Sequence, residues 1–392
     1  MIEWIKNIEV YAPEHLGVKQ ILMAGGKIIA IEDHLSHPPD WDIKVREGKG
    51  LIATPGFIDS HVHLLGGGGE GGFDTRTPEI QLTDLTLGGV TTVVGCLGTD
   101  GFTRRMESLV AKCRGLEKEG VSAYCYTGSY QVPVRTLTSS IEEDLLLIDP
   151  IIGVGEIAIS DHRSSQPTRQ ELEKIAAASR IGGILSNKKG VVNLHLGSGS
   201  RGLDVIDEIC SQTEIPYSQF LPTHINQNEK LFAEALEICK KGGLMDFTTS
   251  TTEKFLEEGE IPCGKALKRA LEEGVDIGQI TFSSDGQGSL PDFDANGNFR
   301  GLMVGKVTSL YEAVREGVEK EGLDLSTALR VITSNPAEIL GLRGKGALRP
   351  GFDGDLVILK KENLTIHSVY AKGRLMVNNG MPVVKGTFEE AE

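Results

Sequence analysis

The sequence predicts an α/β chain: a (β/α)8 barrel at its centre and a small β-sandwich domain built from both chain ends. Three observations predict it. Between residues 52 and 284, eight short β-rich runs alternate with helix-patterned segments. Residues 1–54 and 345–392 carry only short strand-like runs separated by turns. Glycine is abundant, 49 of 392 residues, in a chain whose only repeat is the β–α unit. Many tight strand–helix turns demand that. The expected division is 55–344 for the barrel and 1–54 plus 345–392 for the small domain.

Taken in order, the N-terminal part reads as strands at 8–10, 20–23 and 27–31, with Gly25-Gly26 as a hairpin turn. The barrel strands follow at 52–60, 90–97, 121–127, 151–159, 190–196, 218–224, 243–250 and 279–284. Helical patterns occupy 102–119, 168–180, 202–212, 227–241 and 263–274. Thr168 through Glu171 has the form of a capping box. The C-terminal part adds strands at 356–359, 366–370 and 374–377, and the acidic residues from Phe388 to Glu392 read as a frayed end. Neither end has enough strands for a sandwich alone; joined, they do. A doubly wound open sheet is the competing reading of the β–α alternation.

Charge excludes some functions. Forty Lys and Arg against 55 Asp and Glu leave a net charge of −15. A general nucleic-acid binder needs a basic face, and a membrane-surface protein a polybasic one. No apolar stretch approaches the ~20 residues of a membrane span. The start, Met1-Ile2-Glu3-Trp4, lacks a basic segment followed by an apolar run. Six cysteines are scattered without a CxxC pair. The expectation is a cytoplasmic protein with reduced thiols.

The residues that carry chemistry sit at the ends of the predicted strands. In Ile58-Asp59-Ser60-His61-Val62-His63, strand alternation places His61 and His63 on one face, where two imidazoles can share a metal ion. A glycine run, 66–72, interrupted only by Glu70, follows and lets backbone amides approach a ligand. It lacks the lysine and the spacing of a phosphate loop. Glu156 interrupts the apolar run 151–159, and a buried carboxylate is costly unless paired or bound to metal. His195, His224 and Asp285 end strands five, six and eight. Each has an ordinary alternative, as a core histidine or a helix cap. Together, four of the nine histidines and two carboxylates occupy equivalent positions, at the barrel end where active sites lie. Six N/O ligands without thiolate suit one or two Zn2+ ions, or Mn2+, Fe2+, Co2+ or Ni2+ in their place. His15, His34, His37, His162 and His367 lie in loops or the end segments and read as non-ligands.

This ordered set resembles the metal-dependent amidohydrolases. So do Ala53-Thr54-Pro55-Gly56-Phe57-Ile58-Asp59 and the segment from Gly346 to Val357. Within that superfamily the chain resembles the isoaspartyl (β-aspartyl) dipeptidase family over nearly its whole length. The matching segments are His61 to Leu64 with the glycine run and Glu70, Thr75 to Glu79, Cys96 to Gly101, Tyr126 to Tyr130, Ala158 to Ser164 and Ser283 to Ser289. The resemblance implies two divalent ions, most simply Zn2+. His61, His63 and Asp285 would hold one, His195 and His224 the other, with Glu156 bridging. It implies hydrolysis of the isopeptide bond of small β-aspartyl dipeptides by a metal-bridging hydroxide. Asp285 would move the proton and Tyr130 would stabilise the oxyanion. Glu70 would take the substrate ammonium and Arg163 a carboxylate, while Gly71, Gly72, Thr99 and Ser289 orient the substrate. It also implies a homo-oligomer.

Two positions depart from the family pattern. The family bridges its metals with a carboxylated lysine, where this chain has Glu156. It also has an arginine three residues after the strand-six histidine, helping to hold a substrate carboxylate, where this chain has Gln227. These departures keep a rival open: an amidohydrolase acting on an N-acyl amino acid or on a cyclic amide such as hydantoin or dihydroorotate. Glu70 argues against the cyclic amides, which offer no ammonium. A catalytically silent scaffold would not need Asp285 and all four histidines.

Overall fold

The structure is a computed structural model that describes residues 2–36, 41–293 and 299–390. His37 and residues 391–392, the tip of the end expected to fray, lie outside the described residues. Eight strands follow one another through the middle of the chain. They are Phe57–Val62, Val90–Gly95, Ser122–Thr127, Ile151–Ile159, Val191–Leu196, Phe220–Thr223, Met245–Thr248 and Ile280–Ser283. They are strands one to eight below. One to six form a parallel sheet in chain order, and seven pairs with eight in parallel. Two seams join these arcs. Val62 bridges Gly286 in parallel, and Asp285 N donates to His61 O at 3.1 Å, bringing eight beside one. At the other seam the buried Asp246 of strand seven accepts from Thr223 of six at 2.7 Å and from Thr281 of eight at 2.6 Å. The alternation therefore closes as a barrel rather than spreading as an open sheet.

The helices predicted between the strands form with shifted ends. Met106–Glu119, Arg169–Ser186, Asp204–Gln212, Glu229–Lys240 and Cys263–Glu272 are helical. Thr168 and Glu171 make the reciprocal capping bonds that their spacing predicts.

The strands at the two ends pair with one another. Leu356–Lys360 lies antiparallel to Leu51–Pro55, which in turn runs parallel to Ile2–Tyr11. A nine-stranded sheet results. One expected element divides. The run 52–60 is two strands, Leu51–Pro55 in the end sheet and Phe57–Val62 in the barrel. The break falls at Gly56, where a Cβ would lie 2.2 Å from Thr91 Oγ1. At Leu356–Lys360 the end sheet is apolar on both faces. Leu356 and Ile358 join a cluster with Ile8, Ile21 and Tyr370, while Val357 and Leu359 point into the barrel's core. No helix among the described residues is long and apolar enough to cross a membrane.

Candidate functional site

The strand ends deliver the predicted histidines and carboxylates to one cluster. His61 is aimed by Asn193, whose Oδ1 lies 3.1 Å from its Nδ1. Its Nε2 then faces inward, 3.2 Å from Glu156 Oε2 and 3.7 Å from Asp285 Oδ1. His63 Nε2 stands 3.0 Å from Asp285 Oδ1 and 3.5 Å from Glu156 Oε1. On the other side His195 Nδ1 is 3.3 Å from Glu156 Oε2 and 2.9 Å from His224 Nε2. Thr248 Oγ1, 2.6 Å from His224 Nδ1, and Asp161 Oδ2, 3.1 Å from His195 Nε2, fix the outer edges of those rings. His224 and Asp285 both adopt left-handed backbone, with φ of 65° and 52°. Such conformations are costly for residues with a Cβ and collect at functional sites.

The donor chemistry fits divalent metal. His61 Nε2, both oxygens of Glu156 and Asp285 Oδ1 are buried and have no hydrogen-bond partner. Four convergent lone-pair atoms left bare inside a protein would be expensive unless a cation joined them. Among the described residues two groupings could hold an ion, His61–His63–Cys96–Glu156 and Glu156–His195–His224, and Glu156 belongs to both.

The electrostatics agree. Burial works against an ionised Glu156, but His61 and His195 beside it hold its carboxyl well below the usual carboxylate range. Burial also opposes protonated His61 and His63, yet the neighbouring Cys96 and carboxylates outweigh it and raise both. The cluster thus calls for positive charge, which protons or metal can supply. Burial, and next the charge of His195, bring His224 down to about 3, leaving it the neutral form that ligates. Burial foremost, then the Glu156 charge, pushes the Tyr130 hydroxyl well up, so it stays a donor. That hydroxyl sits 2.8 Å from His195 Nδ1, at the edge of the cluster.

A cavity of about 280 Å3 opens over the cluster. Glu70, Thr99, Tyr130, Arg163, Gln227 and Ser289 all line it. Thr99 Oγ1 donates to Glu70 Oε1 at 2.9 Å, and Arg163 Nη1 donates to the same oxygen at 3.3 Å. Arg163 is anchored by Asp161, through Nε at 3.0 Å and Nη2 at 2.7 Å. Gly71 and Gly72 stand apart from their expected place. They are exposed in a turn where Gly71 N donates to Thr75 Oγ1, and Gly66, Gly67 and Gly68 line the cavity instead. Gly66 has φ +79° and a Cβ there would meet Thr77 O at 2.2 Å, so no other residue fits that wall.

Around the ligand cluster, Cys96, Asp161, Asn193 and Thr248 escape the sequence reading, as do Phe255 and Glu260 on the cavity wall. Asn193 had a signal, since it lies two residues before His195 on the same strand face. Cys96 directly follows strand two, where its neighbours supply ligands. Asp161 and Thr248 act through atoms of other residues and leave no spacing to read. Of the histidines read as non-ligands, His15 pairs with Glu9, His162 is exposed, and His367 lies in the end sheet.

Known proteins resemble the chain in sequence and fold. Residues 260–377 match the family described as amidohydrolase family. A dihydroorotase of Elusimicrobium minutum is 25% identical, over 93% of this chain and 89% of its own. An allantoinase of Bacillus licheniformis is 24% identical, over 86% and 82%. Among solved structures, the beta-aspartyl dipeptidase of Fervidobacterium islandicum AW-1 in complex with beta-Asp-Leu is 45% identical. It superposes with a TM-score of 0.90 over 97% of each chain. The chain belongs to the beta-aspartyl dipeptidase family of the amidohydrolase superfamily. Glu156 lies between the two groupings and belongs to both. Oε2 reaches His61 and His195 while Oε1 faces His63, so the short side chain touches both groupings. Gly98 permits the close packing: a Cβ at that position would lie 2.8 Å from His63 Cε1 and 3.4 Å from Glu156 Oε1.

Proposed function

We propose that the protein hydrolyses the side-chain amide of β-aspartyl dipeptides, releasing aspartate and the second amino acid. The observation that carries this reading is the Glu70–Arg163 pair on the cavity wall, 3.3 Å apart. A β-aspartyl group leaves its α-ammonium and α-carboxylate free on one carbon, one charge for each member of the pair. Each charge-assisted bond is directional, and Arg163 is already held in place by Asp161. N-acyl amino acids and cyclic amides offer no such ammonium.

We assign two divalent ions, with Zn2+ suited to the donor set, to His61, His63 and Asp285 on one side and His195 and His224 on the other, Glu156 between them. Ions held there would lower the pKa of water and polarise the amide carbonyl. The chain's own groups supply the remaining work. Glu70 and Arg163 fix the aspartyl head, with Thr99 and Ser289 beside them. Asp285 takes a proton from the attacking water as its oxygen bonds to the amide carbon. Tyr130 donates to the carbonyl oxygen as negative charge develops there. Asp285 returns the proton to the nitrogen as the C–N bond breaks, so the amine departs neutral.

We take 55–344 as the catalytic barrel and 1–54 with 345–392 as a supporting β-domain. All six cysteines are free, which supports a reducing compartment such as the cytoplasm. Leu146, Leu147, Ile181, Ile184 and Leu185 form an exposed apolar surface on two packed helices, and this supports a homo-oligomer. The function is tested with metal-loaded enzyme on β-Asp-Leu, α-Asp-Leu, N-acetyl-β-Asp-Leu and dihydroorotate. Turnover of β-Asp-Leu above the other three is expected; equal turnover of the N-acetyl form would overturn the role given to Glu70.

A further inference from the structure

The cavity has two walls of different chemistry. Glu70, Thr99 and Arg163, from the segments after strands one, two and four, are joined by hydrogen bonds. Across the ring, the loops after strands six and seven supply Gln227, Phe255 and Glu260. These two loops are stitched together: Ile261 N donates to Asn226 O at 2.8 Å, and Asn226 Nδ2 donates to Ile261 O at 3.1 Å. Glu260 is thereby fixed beside the turn that carries Gln227.

Among the described residues that line it, this second wall offers acceptors and no cation. Gln227 Oε1 is buried and has no hydrogen-bond partner. Glu260 makes no ion pair with Lys or Arg among the described residues, and burial, eased only by a bond from Thr251, pushes its carboxyl up to about 7. A desolvated carboxylate without a counter-charge is costly, and a cation brought to it removes that cost. Phe255 lines the same cavity and offers an apolar face to a methylene chain.

We infer that Gln227 and Glu260 form a specificity wall for the leaving residue, selecting β-aspartyl dipeptides whose second residue carries a cationic side chain. The inference rests on the β-aspartyl reading above. With the aspartyl head on Glu70 and Arg163 and the amide over the metal ligands, the second residue extends toward strands six and seven. There a lysine or arginine side chain meets Glu260 and the free oxygen of Gln227, while an acidic side chain meets a like charge. The second residue's own α-carboxylate is common to all such dipeptides and cancels in a comparison between them.

The test is kcat/KM of metal-loaded enzyme on β-Asp-Lys, β-Asp-Leu and β-Asp-Glu, for the native chain, Glu260→Gln and Glu260→Arg. The readout is the Lys-to-Glu ratio within one preparation, so losses of folded or metal-loaded protein cancel. The native ratio is expected to be at least about tenfold, to fall to within about threefold of unity in Glu260→Gln, and to invert in Glu260→Arg. A native ratio near unity, or one that the Glu260 substitutions leave unchanged, overturns the inference while turnover of β-Asp-Leu upholds the function beneath it. Failure to cleave any of the three dipeptides overturns that function, and the inference with it.

Discussion

Glu156 spans two ligand groupings with its two oxygens, and it is a carboxylate without any prior reaction. A lysine must first combine with CO2. Metal uptake by the stripped protein is therefore expected to be independent of bicarbonate, as measured by elemental analysis with and without it. Uptake only with bicarbonate would remove Glu156 from the bridge. Glu156→Gln should bind less metal, since a neutral amide ligates poorly between two cations. Asp161 acts at one remove: it holds the Arg163 guanidinium by two bonds and also reaches the outer nitrogen of His195. Asp161→Asn is expected to lower kcat/KM on β-Asp-Leu by about 10–100-fold, the usual cost of losing a partner that orients a ligand. Metal content should fall with it, whereas a loss confined to KM would leave Arg163 alone as its client. Glu70→Gln should lower kcat/KM by about tenfold or more through one lost charge-assisted bond. The histidines and Asp285 were legible because they lie at strand ends, which converge in a barrel, and Glu156 because it interrupts an apolar run. Apart from Asn193, two residues before His195, their orienting partners were not, because a contact between side chains on different elements leaves no trace in spacing.

At the scale of elements, patterning recovered all eight barrel strands and mistook mainly their limits. Apolar runs mark where a strand is buried, but hydrogen-bonded pairing decides where it stops. Thus 218–224 shortens to Phe220–Thr223, because a 3-10 turn precedes it and the left-handed His224 ends it. The hairpin Ser289–Phe293 with Phe299–Val304 was not foreseen. Its first strand contains a proline and an aspartate, residues that weaken a strand signal. The helices Ile141–Leu147 and Arg169–Ser186 show another limit of sequence reading. Leu147 and Leu185 stay 67% and 63% exposed, although helix patterning assigns such residues to the core. Two helices packed on each other with apolar residues left outside fit a surface that a second copy covers. Leu147→Asp with Leu185→Asp is expected to reduce the assembly size in light scattering without loss of helical circular dichroism. An unchanged mass would place any subunit contact elsewhere.

In the whole molecule the end sheet and the barrel cannot be treated as separate bodies. Val357, Leu359 and Val369 of the sheet belong to the barrel's apolar cluster, and each such side chain contributes about 1.5–3 kcal/mol on burial. The pairing of the chain ends was foreseen from their shortage of strands, but this shared core was not, because alternation alone does not say what each face meets. A buried polar tie crosses the junction. Lys345, only 2% exposed at its side chain, donates to Ser122 of strand three at 2.7 Å and to Asp355, at the edge of the end sheet, at 2.6 Å. Asp353 lies 2.7 Å from the same ammonium. Removing one member of a buried charge cluster strands the others, at a cost of about 3–5 kcal/mol. Lys345→Met should therefore lower the urea midpoint markedly at neutral pH. The pH dependence follows from the shifts. Burial disfavours charged Lys345, but Asp355 and Asp353 more than offset it and raise the group above its ordinary 10.5. Its contribution is complete below 10.5 and is lost as pH rises through the higher folded value. Burial likewise opposes ionised Asp353, and Lys27 and Lys345 overcome it, holding it below its ordinary 3.8. That contribution is complete above 3.8 and is lost as pH falls through the lower folded value. The stability gap between the native chain and Lys345→Met should thus be flat from about pH 5 to 9 and narrow beyond either end. A gap that varies across neutral pH would show that another titrating group, not this cluster, holds the sheet to the barrel.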